Sequence, residues 1–236
     1  MSDPTRILVT GANRGIGLGY VREWLARGAR VFATARRPDE ADELNALADE
    51  RPDRLTVLQC DVTDPETILA ARDAVAGAAD GLEVVVNNAG VMGQRGEFEE
   101  VEPAEIRRVF EVNTLGPIRV AQAFLPLLRG GREPRRLVHM TSLMGSIDDN
   151  SSGDAYPYRI SKCGLNMANR SMAVDLAGEG IVSVVLHPGW VKTGMGGSGA
   201  RVSVQEAVEA LVDVIERLDA ERSGGFYDRD GEPLPW

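Results

Sequence analysis

Residues 154–164 read DAYPYRISKCG and set Tyr158 and Lys162 four positions apart. On a helix, residues i and i+4 share a face, so a phenol and an ammonium would meet at one site. Of the 26 basic residues only two, Lys162 and Lys192, are lysine. With four tyrosines and two lysines, chance would supply a Y-x-x-x-K pair only about 0.03 times. A free phenol, with a pKa of about 10, is a poor acid–base catalyst at neutral pH. A neighbouring ammonium favours the phenolate, and moving the pKa down by about three units takes about 4 kcal/mol. Lysine also carries three donors on a flexible stem and can touch a ribose and the tyrosine region together, which the planar fork of arginine would do differently. Tyr156 has Ile160 where a partner lysine would stand, so it reads as pocket wall or core.

A second segment, TGANRGIGLG, follows the first apolar run and places glycines at 11, 15 and 17. This is not the spacing G-x-G-x-x-G, but the mechanics can be the same. Gly11 permits a tight turn, Gly15 lets backbone N–H groups approach a pyrophosphate, and Gly17 lets helix and sheet pack closely, with the helix N-terminus facing the anion. At the end of the second apolar run, where NAD enzymes usually carry an acid for the ribose hydroxyls, the sequence has Ala35, Arg36 and Arg37. Arg14 in the glycine turn could reach the same place. A missing acid and convergent guanidiniums suit a 2′-phosphate, which arginine grips in bidentate fashion. The expected cofactor is NADP(H) in preference to NAD(H).

Such groups need a frame. Short β-branched runs recur at 7–9, 31–33, 55–58, 84–86, 137–140, 182–186 and, weakly, 226–227. Helical stretches separate them. Val21, Trp24 and Leu25 fall at i, i+3, i+4 within 15–28, and Gly28 suits the position after a helix end. Asp64, Pro65 and Glu66 read as N-cap, first residue and first-turn acid of a helix over 65–78. Glu102 and Pro103 open another. Strands that are apolar throughout, alternating with helices, imply a parallel sheet covered on both faces. The expected fold is α/β: a doubly wound Rossmann domain over 1–236, with a mostly parallel seven-stranded sheet flanked by helices. Two stretches break the rhythm at the carboxyl edge, where such sheets bind ligands. They are the expected substrate loops at 143–157 and 189–203.

These segments together resemble the short-chain dehydrogenase/reductase family, single-domain type. TGANRGIG, DVTD (61–64), NNAG (87–90), Asn113, Ser142, YRISK and PGWVKT (188–193) stand in that family's order. Within it, TGANRGIGLGYV, YRISKCGLNM, HPGWVKTGMGG and GFYDRDGEPLPW are similar to C-factor and sniffer-like carbonyl reductases. The resemblance implies that Tyr158 is the general acid protonating a carbonyl oxygen as hydride arrives, and the base in reverse. It implies that Lys162 lowers the tyrosine's pKa and holds the nicotinamide ribose. Ser142 would donate to the same oxygen, and Asn113 would position a water in the proton path. Cofactor contacts would come from Gly11, Asn13, Arg14, Gly15, Ile16, Gly17 and Arg36. Asp61 would meet the adenine amino group with Val62 beside it, and Asn87 the adenosine ribose, followed by Ala89 and Gly90. Pro188, Gly189, Val191 and Thr193 would hold the nicotinamide.

Composition sets outer limits. With 36 acidic and 26 basic residues the formal charge is −10, which excludes a general binder of nucleic-acid backbone. Cys60 and Cys163 are too few for a disulfide framework. His139 and His187 show no metal-ligand spacing and read as structural, so no metal is expected. No membrane-spanning run or leader is read, and the expected location is cytoplasmic. Asp148, Asp149 and Asp154 in the first loop read as solvated, and the expected substrate is a small neutral aldehyde, ketone or quinone. Residues 163–177 are apolar round much of a helix, which leaves a homodimer or homotetramer open. A nucleotide-binding signalling protein on the same scaffold is the competing reading, because a fold does not fix a function.

Overall fold

Apolar, β-branched strands of three to seven residues need cover on both faces, and the chain supplies it. The computed structural model describes residues 3–236. The strands are β1 (Arg6–Val9), β2 (Arg30–Ala35), β3 (Leu55–Gln59), β4 (Val84–Asn87), β5 (Arg135–Met140), β6 (Ile181–His187) and β7 (Phe226–Asp228). They form one sheet in the order β3-β2-β1-β4-β5-β6-β7. Every pairing is parallel, so the sheet is wholly rather than mostly parallel.

The helices are α1 (Gly15–Ala26), α2 (Asp42–Glu50), α3 (Pro65–Ala76), α4 (Pro103–Phe110), α5 (Gly116–Gly130), α6 (Tyr156–Leu176) and α7 (Val204–Glu216). Successive strand residues point to opposite faces. Ile7 and Val9 join Val21, Trp24, Leu44, Leu211 and Ile215 in a core under α1, α2 and α7. Leu8 points the other way, into a core with Ile68, Val75, Phe124 and Leu128 from α3 and α5. Helix α6 lies on that second face, where Leu165 packs on Val185 and Phe226.

The expected punctuation is present. Gly28 turns with φ +81° beyond the end of α1, and the Asp64 carboxylate accepts the Glu66 N–H at 2.9 Å to cap α3. No sequence signal marks the π turn Glu111–Leu115, which joins α4 to α5. The two expected loops are less open than the sequence suggests. Leu143–Gly145 is a 3₁₀ turn capped by Ser142, and α6 already begins at Tyr156. Within 189–203, Val191 bridges Val202, and the Trp190 indole donates to the Gly196 carbonyl at 2.7 Å. The sheet-facing side of α6 is buried, whereas Ile160, Met167 and Val174 form an exposed apolar stripe at seven-residue spacing. No helix of the described residues is long and apolar enough to cross a membrane.

Strand order reverses between β1 and β4, and ligands of such sheets bind at the carboxyl side of that reversal. The opposite, amino edge is locked by charge. Glu83, just before β4, accepts from Arg6 Nη2 at 2.6 Å and from its backbone N–H at 2.6 Å. It also accepts from Arg132 Nε at 3.0 Å and from the Arg132 backbone at 3.1 Å. Burial alone would raise the Glu83 pKa, but these donors outweigh it and bring it down to about 2. A depressed carboxylate stabilises the fold above its ordinary pKa and loses that contribution as pH falls through the folded value. Glu83→Gln should therefore cost up to about 3 kcal/mol above pH 5. Denaturant melts should show the gap to wild type shrinking as pH falls from about 4.5 to about 2.

Candidate active site

The first turn is built around close backbone approach. Gly11 and Gly15 have φ of +65° and +55°, a region that side chains disfavour and glycine accepts. A β-carbon on Gly11 would lie 2.8 Å from Ala89 Cα; one on Gly17 would collide with the Gly11 carbonyl and lie 2.6 Å from Asn88 Nδ2. Asn88 explains the crowding, since its amide donates to the carbonyls of Thr10 and Gly11 at 2.9 and 3.0 Å. The Thr10 hydroxyl accepts from the N–H groups of Asn88 and Ala89. Ala12 N–H reaches the Thr34 carbonyl at 2.8 Å, tying the turn to β2. Asn13 and Arg14 lie on the open side of the turn, and Ile16 packs down on the core.

No side chain caps α1, and no acid stands in its first turn. Its leading N–H groups and the positive end of its dipole are therefore unopposed. Helices α3 and α7, by contrast, carry Asp64 and Ser203 as caps. Arg14 and Arg36 are exposed, and among the described residues neither side chain makes an ion pair or hydrogen bond. Arg37 is engaged by Glu40 at 2.7 Å. An uncapped helix start, a cradle that any β-carbon would fill and two unspent guanidiniums fit a dinucleotide bearing an extra phosphate. Asp61 binds its own turn through Oδ1, which accepts from Thr63 N and Oγ1 at 2.9 and 2.7 Å. Val62 is buried against Gly116. Thr193 crosses over the glycine turn, its methyl 3.4 Å from where a Gly15 β-carbon would be. Pro188 and Gly189 (φ +81°) lead from β6 into this crossing, and buried Val191 anchors it.

Helix α6 brings the tyrosine and the lysine together. Tyr158 and Lys162 are both buried, with the ammonium 5.7 Å from the phenol ring centroid. Lys162 Nζ donates to the Met140 carbonyl at the end of β5 at 2.7 Å. Burial pulls its pKa down to about 8. Burial likewise pushes the Tyr158 phenol up to about 12, opposed by the Ser142 hydroxyl. Removal from water is thus the larger influence on the phenol.

Asn113 stands in the π turn, a feature common at functional sites. Its Oδ1 accepts from Val91 N–H at 2.8 Å, and its Nδ2 donates to the Val91 carbonyl at 2.8 Å and Ser161 Oγ at 3.0 Å. Both amide hydrogens are thereby committed. A β-carbon on Gly90 would sit 3.3 Å from Asn113 Oδ1 and 3.7 Å from Lys162 Nζ, so this glycine keeps the floor low. Asn87 closes β4 and turns its side chain toward β5. It is buried, with Nδ2 3.2 Å from His139 Nδ1 and 3.5 Å from the Pro117 carbonyl. Burial pushes His139 down to about 3, so this pair is neutral.

The sequence profile of the short chain dehydrogenases matches residues 5–218. The chain belongs to the short-chain dehydrogenase family. It is similar to the C-signal of Myxococcus xanthus, with 48% identity over 155 residues, 66% of this chain and 93% of that one. Among solved structures it resembles the NADPH-bound carbonyl reductase from chicken fatty liver, at 36% identity and a TM-score of 0.94 over 100% of both chains. The carbonyl reductase Sniffer of D. melanogaster gives 35% identity, also at a TM-score of 0.94 over 100% of both.

Against this family background, several supporting residues had no sequence signal of their own. Ser161, buried inside YRISK, joins the Asn113 amide to the Tyr158 carbonyl, its hydroxyl donating there at 2.8 Å. Thr114 donates to the Ser161 carbonyl, and Thr141 to Asn166 Oδ1, both at 2.7 Å. Beside the short-chain dehydrogenase machinery opens a cleft of about 480 Å³, bordered by Arg95, Leu143, Met144, Asp149, Asp154 and Arg159. Asp148, Asp149 and Asp154 are exposed. Gly17→Ala is expected to destabilise the family fold by about 2–3 kcal/mol, because backbone would have to move. Gly15→Ala, strained in φ but not crowded, should cost about 1 kcal/mol; thermal melts of the two variants check the order.

Proposed function

We propose that the protein is an NADP(H)-dependent reductase of small neutral carbonyl compounds: aldehydes, ketones or quinones. The observation that carries this reading is the buried Tyr158–Lys162 pair beside Ser142, at the carboxyl edge of the sheet. NADPH would be held by the glycine turn and α1 N-terminus, with Asp61 at the adenine, Arg14 and Arg36 at the 2′-phosphate, and residues 188–193 with Lys162 at the nicotinamide end. Bound there, it supplies a hydride to the carbonyl carbon. Tyr158 donates its phenolic proton to the carbonyl oxygen, and a hydrogen bond from Ser142 steadies that oxygen while negative charge grows on it. The phenolate left behind gains from the Lys162 ammonium what the neutral phenol does not. Asn113 and Ser161 hold α6 against the π turn so that these groups keep their places. The guanidinium of Arg159 is committed to backbone carbonyls and Ser152, and Arg95 lies 3.9 Å from Asp154. A cleft so arranged favours neutral substrates over keto acids. A reductase drawing on cellular NADPH would work in the cytoplasm.

The likeness to a protein called C-signal supports a second reading, a signalling protein that binds the nucleotide without turnover. The two part at one residue. Tyr158→Phe should lower kcat for a responsive aldehyde, diketone or quinone by about 10²–10⁴-fold while leaving NADPH binding intact. A cellular effect that survives the substitution unchanged would favour the signalling reading.

Cofactor choice is tested separately. Arg36→Ala should weaken NADPH binding by about tenfold or more, the worth of a charge-assisted pair, and leave NADH binding nearly unchanged. Equal affinity for both nucleotides in wild type, unaltered by Arg36→Ala, would refute the preference.

A further inference from the structure

Helix α6 starts from an awkward place. Asp154 and Ala155 have φ of +59° and +49°, the only residues other than glycine with positive φ among those described. Two consecutive side-chain-bearing residues in the left-handed region persist only where the surroundings impose it. The Ala155 carbonyl then accepts the N–H groups of Tyr158 and Arg159, both at 3.0 Å, so the strained pair sets the first turn of the helix that carries Tyr158.

The surroundings that impose it are mostly one side chain. Arg159 Nε donates to the Gly153 carbonyl at 2.8 Å and to the Asp154 carbonyl at 3.1 Å. Its Nη2 donates to Ser152 Oγ at 2.9 Å, and its Nη1 to the Met144 carbonyl at 3.4 Å, two residues beyond Ser142. From the other side Asp154 Oδ1 accepts from Ala155 N–H at 2.5 Å and Gly96 N–H at 3.2 Å. Asp154 thus links the 91–97 segment to the same turn. All these groups border or adjoin the cleft.

We infer that Arg159 is a positioning residue: its guanidinium clasps residues 144 and 152–154, forces the left-handed Asp154–Ala155 pair, and so fixes both the substrate-loop wall and the approach to Tyr158. The inference rests on the reductase reading for its effect on substrate, but not for the clasp itself. The fork is essential, because a lysine ammonium at the same place cannot span four acceptors, three carbonyls and a hydroxyl, on two segments of the chain.

The test uses the full chain as Arg159→Ala, Arg159→Lys, and Arg159→Ala combined with Ala155→Gly. Glycine accepts a positive φ without strain, so it should supply from the backbone what the clasp supplies from outside. In Arg159→Ala, amide exchange over 150–156 should rise by about tenfold or more. KM for a carbonyl substrate should rise by about tenfold, with kcat reduced less, and NADPH affinity should stay within about twofold. Arg159→Lys should fall between, and adding Ala155→Gly should recover most of the lost KM and protection. Unchanged exchange in Arg159→Ala would overturn the clasp. So would wild-type behaviour in Arg159→Lys, or failure of Ala155→Gly to restore anything. If wild type turned over no carbonyl at all, the reductase reading would fall while the exchange data still decided the clasp.

Discussion

Lys162 is taken out of water and, among the described residues, given one hydrogen-bond partner, the Met140 carbonyl. An ammonium so placed is costly unless its surroundings repay it, and the neighbouring structure is arranged about that demand. The bond fastens α6 to the end of β5, which fixes where Tyr158 can lie. Gly145 is a consequence: a β-carbon there would sit 2.8 Å from Lys162 Cβ. Gly90 is another, leaving the space above Asn113 and the ammonium open. In the proposed reaction the charge becomes most useful when a negative oxygen forms beside it, once the tyrosine has given up its proton.

Around this point the side chains fall into two roles. Tyr158 and Ser142 are the groups proposed to meet the substrate, and their neighbours hold them. Asn113, Ser161 and Thr114 form one hydrogen-bonded run from the π turn to α6. Thr141 and Asn166 form a second from β5 to the same helix, where Asn166 Nδ2 also reaches the Gly145 carbonyl at 3.3 Å. Networks of this kind keep catalytic groups within the narrow tolerances that orientation effects require. Their members are small, buried and uncharged, so burying them costs little once they are paired.

The strands were legible because each is a β-branched run between turn residues, and the sheet's parallel character followed from the absence of an outward polar face. The glycine turn, the Tyr158–Lys162 pair and the Asp64 cap were legible because each has a spacing with a direct mechanical meaning. Other features were not. The π turn at Glu111–Leu115 has no compositional mark, since it depends on what α4 and α5 pack against. The direction of the Tyr158 pKa depends on burial, which spacing does not encode. Asn87 and Asn88 are identical neighbours in sequence, yet one turns beneath the sheet to His139 and the other braces the glycine turn. Only the strand's alternation decides between them.

The Glu83 cluster joins the starts of β1 and β5 to β4 at the edge remote from the cleft. Cohesion of the central strands is therefore anchored at one end of the molecule, and the proposed recognition lies at the other. Loops at the carboxyl edge can be exchanged, lengthened or recoloured in charge without loosening that anchor. Such a scaffold invites divergence by loop replacement, and a designer could graft new substrate loops onto it while leaving the acid–arginine knot untouched.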